Sequence, residues 1–270
     1  VKSCVLLAGL YADGDTKVNE PKATRDHTER MLPLFGQPVD VAADGTITLS
    51  PTGKLTAPDT AVAIPADPSS ACFFAVAASL VEGSDITLNS IGINARRDGW
   101  RRVMDGMGAR LELSNENAVG EEPVADIRVT AGGLHDMIVN PDDVPDAIDE
   151  FPVIFAAAAL ADGEFVLADA EELRVKESDR ISAMADALSA AGADFEERPD
   201  GAVIRGLSSL RGNADVDAHG DHRIAMAMAV AAQRAEGEIR IHNAAAIATS
   251  FPNFVALAQR IGMNVRWADE

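Results

Sequence analysis

Four stretches of alternating apolar and polar residues follow the glycines Gly14, Gly83, Gly163 and Gly237. A side-chain period of two predicts a half-buried strand in each. A polar loop comes next, then an amphipathic helical stretch, then a glycine at Gly36, Gly108, Gly192 or Gly262. Glycine supplies the left-handed residue that stops a helix. A second strand is expected beyond it, as in "MNVRW" after Gly262. The paired glycines are 22, 25, 29 and 25 residues apart, and the leading glycines are spaced by 69, 80 and 74. The chain is therefore an internal repeat.

Another helix precedes each leading glycine: "VKSCVLLAGLYADG", "DPSSACFFAVAASLVEG", "DEFPVIFAAAALADG" and "DHRIAMAMAVAAQRAEG". These bodies are apolar nearly all round and rich in Ala, which predicts helices buried on every side. Asp67, Asp149 and Asp221 open the last three, at 16, 14 and 16 residues before their glycines. Asp suits an N-cap, and Pro68 suits a first helical position. In the first copy the matching position would be −2, so that copy reads as truncated at the mouth of its buried helix. Hairpin-like strands in 44–57 and 124–135 complete each unit as roughly βαβαββ. The expected fold class is α/β, built of repeated βαβαββ units with sheets outside and paired helices inside.

Composition narrows the function classes. The chain has 270 residues, 47% of them hydrophobic, enough for one large domain or two smaller ones. No run of 18 apolar residues predicts a membrane span, and no signal-peptide pattern is present. With 23 basic and 43 acidic residues the net charge is −20, which argues against nucleic acid or an anionic membrane as partner. Only five residues are lysine, a composition that would also suit a salty habitat. Cys4 and Cys72 have neither metal-type nor redox-type spacing, so a reducing cytoplasm is expected. No glycine-rich phosphate loop of either common nucleotide-binding type occurs.

Unusual charges collect at two kinds of place. In "LRVKESDRI", Lys176, Glu177 and Arg180 fall within little more than one turn. Lys176 and Arg180 are four apart and are expected on one helix face. Two cations at a helix N-terminus oppose the macrodipole, which makes sense if an anion sits there. Arg25, and the pair Arg96 and Arg97, take the same place in the first and second units. A lone Arg there is equally well explained as a solvated helix start with local salt bridges. The second kind of place is "DEFP" and "GDHRI", with Asp149, Glu150, Asp221, His222 and Arg223 at the mouths of buried helices. Capping explains Asp149 and Asp221, but Arg223 at the start of an apolar helix needs an anionic partner. His219 and His222 form H-x-x-H without a third ligand at a suitable spacing, so no metal is expected.

The segments "LRVKESDR", "GDHRIAM", "ATSFPNF", "IPADPSSACFF" and "EPKATRDHTERM" resemble matching segments of the 5-enolpyruvylshikimate-3-phosphate synthase family. The resemblance runs through nearly the whole chain. It looks closest to the glyphosate-tolerant class II bacterial enzymes, through "TRDHTE", "IDEFP" and "IATSFP". It implies the inside-out α/β barrel type of fold, here incomplete. Residues 1–63 would be the last, truncated repeat of a first domain, and 64–270 a second domain of three repeats. It also implies transfer of the enolpyruvyl group of phosphoenolpyruvate to the 5-hydroxyl of shikimate 3-phosphate, with release of phosphate. No metal or organic cofactor is implied, and the full-length protein is expected to be monomeric.

By motif, Asp149 matches the carboxylate that holds the shikimate hydroxyls and is a candidate base. Lys176 and Glu177 match the pair that manages protons at the hydroxyl and methylene carbons. Arg180 and Arg223 match arginines that clamp phosphoenolpyruvate, with His222 beside them, and Arg25 matches a contact near the shikimate phosphate. Addition–elimination needs a base and an acid, and two anions held together need converging cations. Ala66 stands where the family usually has Gly, and Thr249 where many members have Lys. The family's early Lys-Ser with a nearby Arg, its Gly-Asn-rich loop and its Ser-Ala-Gln have no counterpart here. The chain is thus expected to need a missing N-terminal segment and to turn over little or not at all by itself. A relative acting on UDP-N-acetylglucosamine and a non-catalytic binding module are the alternatives.

Overall fold

The structure, a computed structural model, describes residues 1–268. The first unit holds α1 (Lys2–Gly9), β1 (Thr16–Val18), α2 (His27–Met31), β2 (Asp40–Val41) and β3 (Ile47–Leu49). The second holds α3 (Pro68–Leu80), β4 (Asp85–Gly92), α4 (Gly99–Gly106), β5 (Arg110–Val119) and β6 (Glu122–Thr130). The third runs β7 (His135–Ile138), α5 (Val144–Ala147), α6 (Phe151–Ala158), β8 (Asp162–Leu167), α7 (Arg180–Ala190), β9 (Asp194–Arg198) and β10 (Gly201–Arg205). The fourth runs β11 (Ala214–Asp217), α8 (His222–Ala231), β12 (Ile239–His242), α9 (Ile247–Ser250) and α10 (Phe254–Arg260).

Among the described residues, only the third unit is a full βαβαββ. Its sheet is ordered β7-β8-β10-β9, with β7 parallel to β8 and the other pairs antiparallel. The second sheet is β4-β6-β5, and its opening strand shrinks to one parallel bridge between Ala66 and Ile91. The first sheet is β1-β3-β2, and the fourth is the parallel pair β11-β12. The strand expected after Gly262 does not form among the described residues. Among the described residues no strand pairs with that tail; the Asn264 N–H donates to Gln233 Oε1 instead, and a strand needs a backbone partner. All four expected stop glycines do take positive φ, at +78°, +85°, +89° and +93°.

The helices α3, α6 and α8 pack on one another, and nearly all of their residues are buried. Ala at most positions lets the backbones approach closely. Four rings, Phe73, Phe74, Phe251 and Phe254, then lock the α9–α10 segment onto α3 in edge-on and tilted pairs. The expectation for the first copy needs correction. α1 buries Lys2, Leu6 and Gly9 but exposes Val5 and Leu7. Burial on every side needs neighbouring helices, and among the described residues α1 has none of the kind that α3, α6 and α8 give each other. Its unit keeps a separate small core of Leu6, Leu32, Ile47 and Leu49.

Candidate functional site

The buried helices α3, α6 and α8 bring their N-termini together, and the buried polar residues Ser69, Glu150, Arg180 and Asp221 gather there. Asp67 caps α3 by accepting from the Ser69 and Ser70 amides, with Pro68 at the first turn. Asp221 caps α8 by accepting from the Arg223 amide at 2.9 Å. Asp149 does not cap α6: the helix starts at Phe151 with Glu150 in the cap position, and neither makes a side-chain capping bond. Its carboxylate is thereby left for other partners.

Those partners are cations. Asp149 accepts from Arg25 Nη2 at 2.6 Å and from Arg180 Nη1 at 3.4 Å, and Lys176 Nζ stands 3.6 Å away. Its backbone carbonyl accepts from Arg223 Nη1 at 2.8 Å. Burial pushes the Asp149 carboxyl upward, but the Arg25 bond and the charges of Arg223 and Lys176 outweigh it. The result is a carboxyl held well below the usual range.

Arg180 lies deepest. It is 1% exposed and sits between three carboxylates: Asp221 at 2.9 Å, Glu177 at 2.5 Å and Asp149. Asp221 is fully buried and also accepts from Ser178 at 3.1 Å. Burial raises its carboxyl, and Arg180 more than reverses this. Lys176 and Arg180 do not share a helix face as their spacing suggests. α7 begins only at Arg180, behind an Asp179 cap, and Lys176 ends the short 3-10 turn Glu171–Val175. The two meet instead at Asp149. Lys176 also holds Glu172 at 2.5 Å, and Glu177 is half exposed. Arg174 ties this loop down through Asp179, Glu197 and the carbonyls of Arg198 and Pro199.

Arg25 reaches the cluster from the first unit. Its loop is pinned by Lys2, which is almost buried and sits between Glu20 at 2.8 Å and Glu29 at 2.7 Å. Lys2 also donates to the Thr24 carbonyl at 3.3 Å. His222 stands 3.9 Å from Asp221; burial and the Arg223 charge lower its imidazole below the ordinary value. Among the described residues, no group of three or more His, Cys, Asp or Glu is placed to hold a metal ion.

The seven residues to which the resemblance gives roles, Arg25, Asp149, Lys176, Glu177, Arg180, His222 and Arg223, thus meet around the carboxylates of Asp149 and Asp221. Sequence reasoning missed Ser69, Ser178 and Glu172. Each is a small or charged residue in a loop or first turn, and no spacing rule singles it out. Together the groups can hold anions, once the cations exchange carboxylate partners for ligand oxygens, and can move protons between neighbours.

The fold is one found among enolpyruvyl transferases. The enolpyruvyl transferase NikO of Streptomyces tendae superposes with a TM-score of 0.72 at 17% identity, covering 97% of this chain and 58% of that one. Closer likeness fixes the family. The model of EPSP synthase (3-phosphoshikimate 1-carboxyvinyltransferase) matches residues 1–257, and the chain belongs to that family. A 3-phosphoshikimate 1-carboxyvinyltransferase of Methylococcus capsulatus is 54% identical over 266 residues, which is 98% of this chain and 60% of the relative. One from Acidithiobacillus ferrooxidans is 54% identical over 263 residues. An EPSP synthase structure from Acinetobacter baumannii gives a TM-score of 0.92 at 45% identity, again covering 98% of this chain and 60% of that one. The chain therefore spans about 60% of the length of the curated relatives it matches.

Proposed function

We propose that this chain carries a large part of the site that transfers the enolpyruvyl group of phosphoenolpyruvate to the 5-hydroxyl of shikimate 3-phosphate, releasing phosphate. The observation that carries the reading is the convergence of Arg25, Lys176, Arg180 and Arg223 on the single residue Asp149. In a chain of charge −20, such a focus of cations is what recruits two anionic substrates.

The roles are those that the family resemblance implies, and the geometry supports them. Asp149 orients the acceptor hydroxyl and takes its proton as the oxygen bonds to the enol carbon. While Arg25 is bonded to it, its low pKa makes it a weak base; moving Arg25 onto the shikimate phosphate raises its basicity. Lys176 stands 3.6 Å from Asp149, and Glu177 pairs with Arg180, which also reaches Asp149; the two exchange a proton with the methylene carbon, first giving it and then removing it as phosphate leaves. Arg180 and Arg223 hold phosphoenolpyruvate, and His222 lies beside them. Residues 1–63 and 64–270 are proposed as parts of two domains, a division supported by the separate core of the first unit. A cytoplasmic location is supported by the two free thiols, Cys4 and Cys72.

The test is titration of the chain with each substrate by calorimetry. Phosphate release is then measured with the chain alone and with the part of a relative's sequence it does not match added in trans. Binding of shikimate 3-phosphate with turnover on complementation is expected. No binding of either substrate, and no turnover in either mixture, overturns the reading. Binding without turnover on complementation would leave a binding module.

A further inference from the structure

The second unit also places a cation at its helix start, and the proposed chemistry does not use it. Arg97 Nη2 donates to Ser69 Oγ at 2.7 Å and to Asp67 Oδ1 at 3.1 Å. Ser69 Oγ donates in turn to Glu150 Oε1. Glu150 is 2% exposed, and the same Oε1 lies 3.8 Å from Arg223 Nη1. A line of four side chains thus runs from the turn before α4, through the first turn of α3 and the mouth of α6, to the first turn of α8.

A carboxylate so buried is costly unless it meets charge. Burial raises the Glu150 carboxyl, while the Ser69 bond and the charges of Arg223 and Arg97 oppose the rise. A simple tie between helices needs only an amide or a hydroxyl. The ionisable group makes sense against a guanidinium that must keep one orientation. Arg223 has one other fixed partner, the Asp149 carbonyl, so a single hydrogen bond would leave it free to pivot.

We propose that Glu150 is a positioning residue: fixed by Arg97 through Ser69, it holds the Arg223 guanidinium in the orientation that receives an anion. The anion-binding role of Arg223 rests on the function proposed above; the immobilisation of Arg223 does not. Two readouts separate them. Side-chain NMR of labelled arginine, with Arg223 assigned by its loss in Arg223→Lys, reports rotation about the guanidinium. Calorimetry with inorganic phosphate and with phosphoenolpyruvate reports binding.

In the wild-type chain Arg223 is expected to give separate, slowly exchanging Nη signals. In Glu150→Gln these average, and phosphate affinity falls about tenfold, the worth of one charge-assisted contact. Arg97→Met, which leaves Glu150 in place but unfixed, shows the same averaging in part, and Glu150→Asp restores some of the order. Arg223 signals in both Glu150→Gln and Arg97→Met identical to wild type would overturn the proposal. Should Glu150→Gln fail to fold, Arg97→Met alone decides in the same way. Failure of the wild type to bind either anion sinks the functional reading, while the NMR comparison still decides the positioning.

Discussion

Replacing Asp221 tests the electrostatic centre most directly. Asp221 is fully buried and does two jobs: it caps α8 and it is the innermost partner of Arg180, itself 1% exposed. Asp221→Ala removes both. Breaking a buried pair costs about 3 kcal/mol, toward the low end because Glu177 and Asp149 still reach Arg180. Loss of the cap adds about 1 kcal/mol. The sum, about 4 kcal/mol, lowers the melting temperature of a chain this size by roughly 10 °C. Asp221→Asn keeps an acceptor for the cap and loses only the charge, so it falls between. Urea unfolding followed by near-UV circular dichroism gives the midpoints, and an unchanged slope shows that stability alone moved. The double variant Arg180→Met with Asp221→Ala removes the stranded charge and is expected to recover part of the loss. An Asp221→Ala chain within about 1 kcal/mol of wild type would refute the claim that Arg180 depends on this carboxylate.

Asp149, with its carboxyl held low in the fold, contributes stability above the ordinary carboxylate pKa and loses it as pH falls through the folded value. In Asp149→Asn the decline of stability in acid below about pH 4 should be shallower, read as urea midpoints against pH; an identical slope counts against the ion-pair account. Lys2→Met strands Glu20 and Glu29, both largely buried, at a cost of about 3 kcal/mol. Its signature is local: amide exchange should speed up at Thr24 and neighbouring residues, and unchanged exchange there would show that Lys2 does not pin the Arg25 loop. Gly99→Ala places a methyl 2.6 Å from the Asp146 carbonyl carbon and 2.8 Å from the Asp143 carbonyl oxygen. Backbone must move, so a loss of about 2 kcal/mol is expected by thermal melting; a wild-type melting temperature would mean that α4 and α5 separate freely.

Much of the fold was readable because its signals are local. Stop glycines, the Asp67 and Asp221 caps and the all-apolar helices depend on a few neighbouring residues. The misses depend on distant ones. Strands β7 and β11 are four residues long, and their pairings are parallel and non-local. The burial of α1 depended on helices that its own pattern cannot announce. At "IDEFP" the sequence pointed to Asp149 as the cap, and only the packing shows that Glu150 takes the cap position and turns inward to Ser69 while Asp149 faces the cations. The candidate residues come together in space, and their types are costly in such apolar surroundings; their pairings were not legible.

The cluster also has a consequence for the order of folding. Arg25 and Asp149 are 124 residues apart in the chain, Arg223 and Asp149 are 74 apart, and Arg180 and Asp221 are 41 apart. Each contact closes a long loop before it returns any energy, whereas the hairpins β5–β6 and β9–β10 close at once. Substitutions in the cluster should therefore show φ-values near zero: they quicken unfolding and leave the folding rate almost untouched. The residues proposed for the chemistry would set how long the folded chain lasts, and the strand pairs how fast it forms.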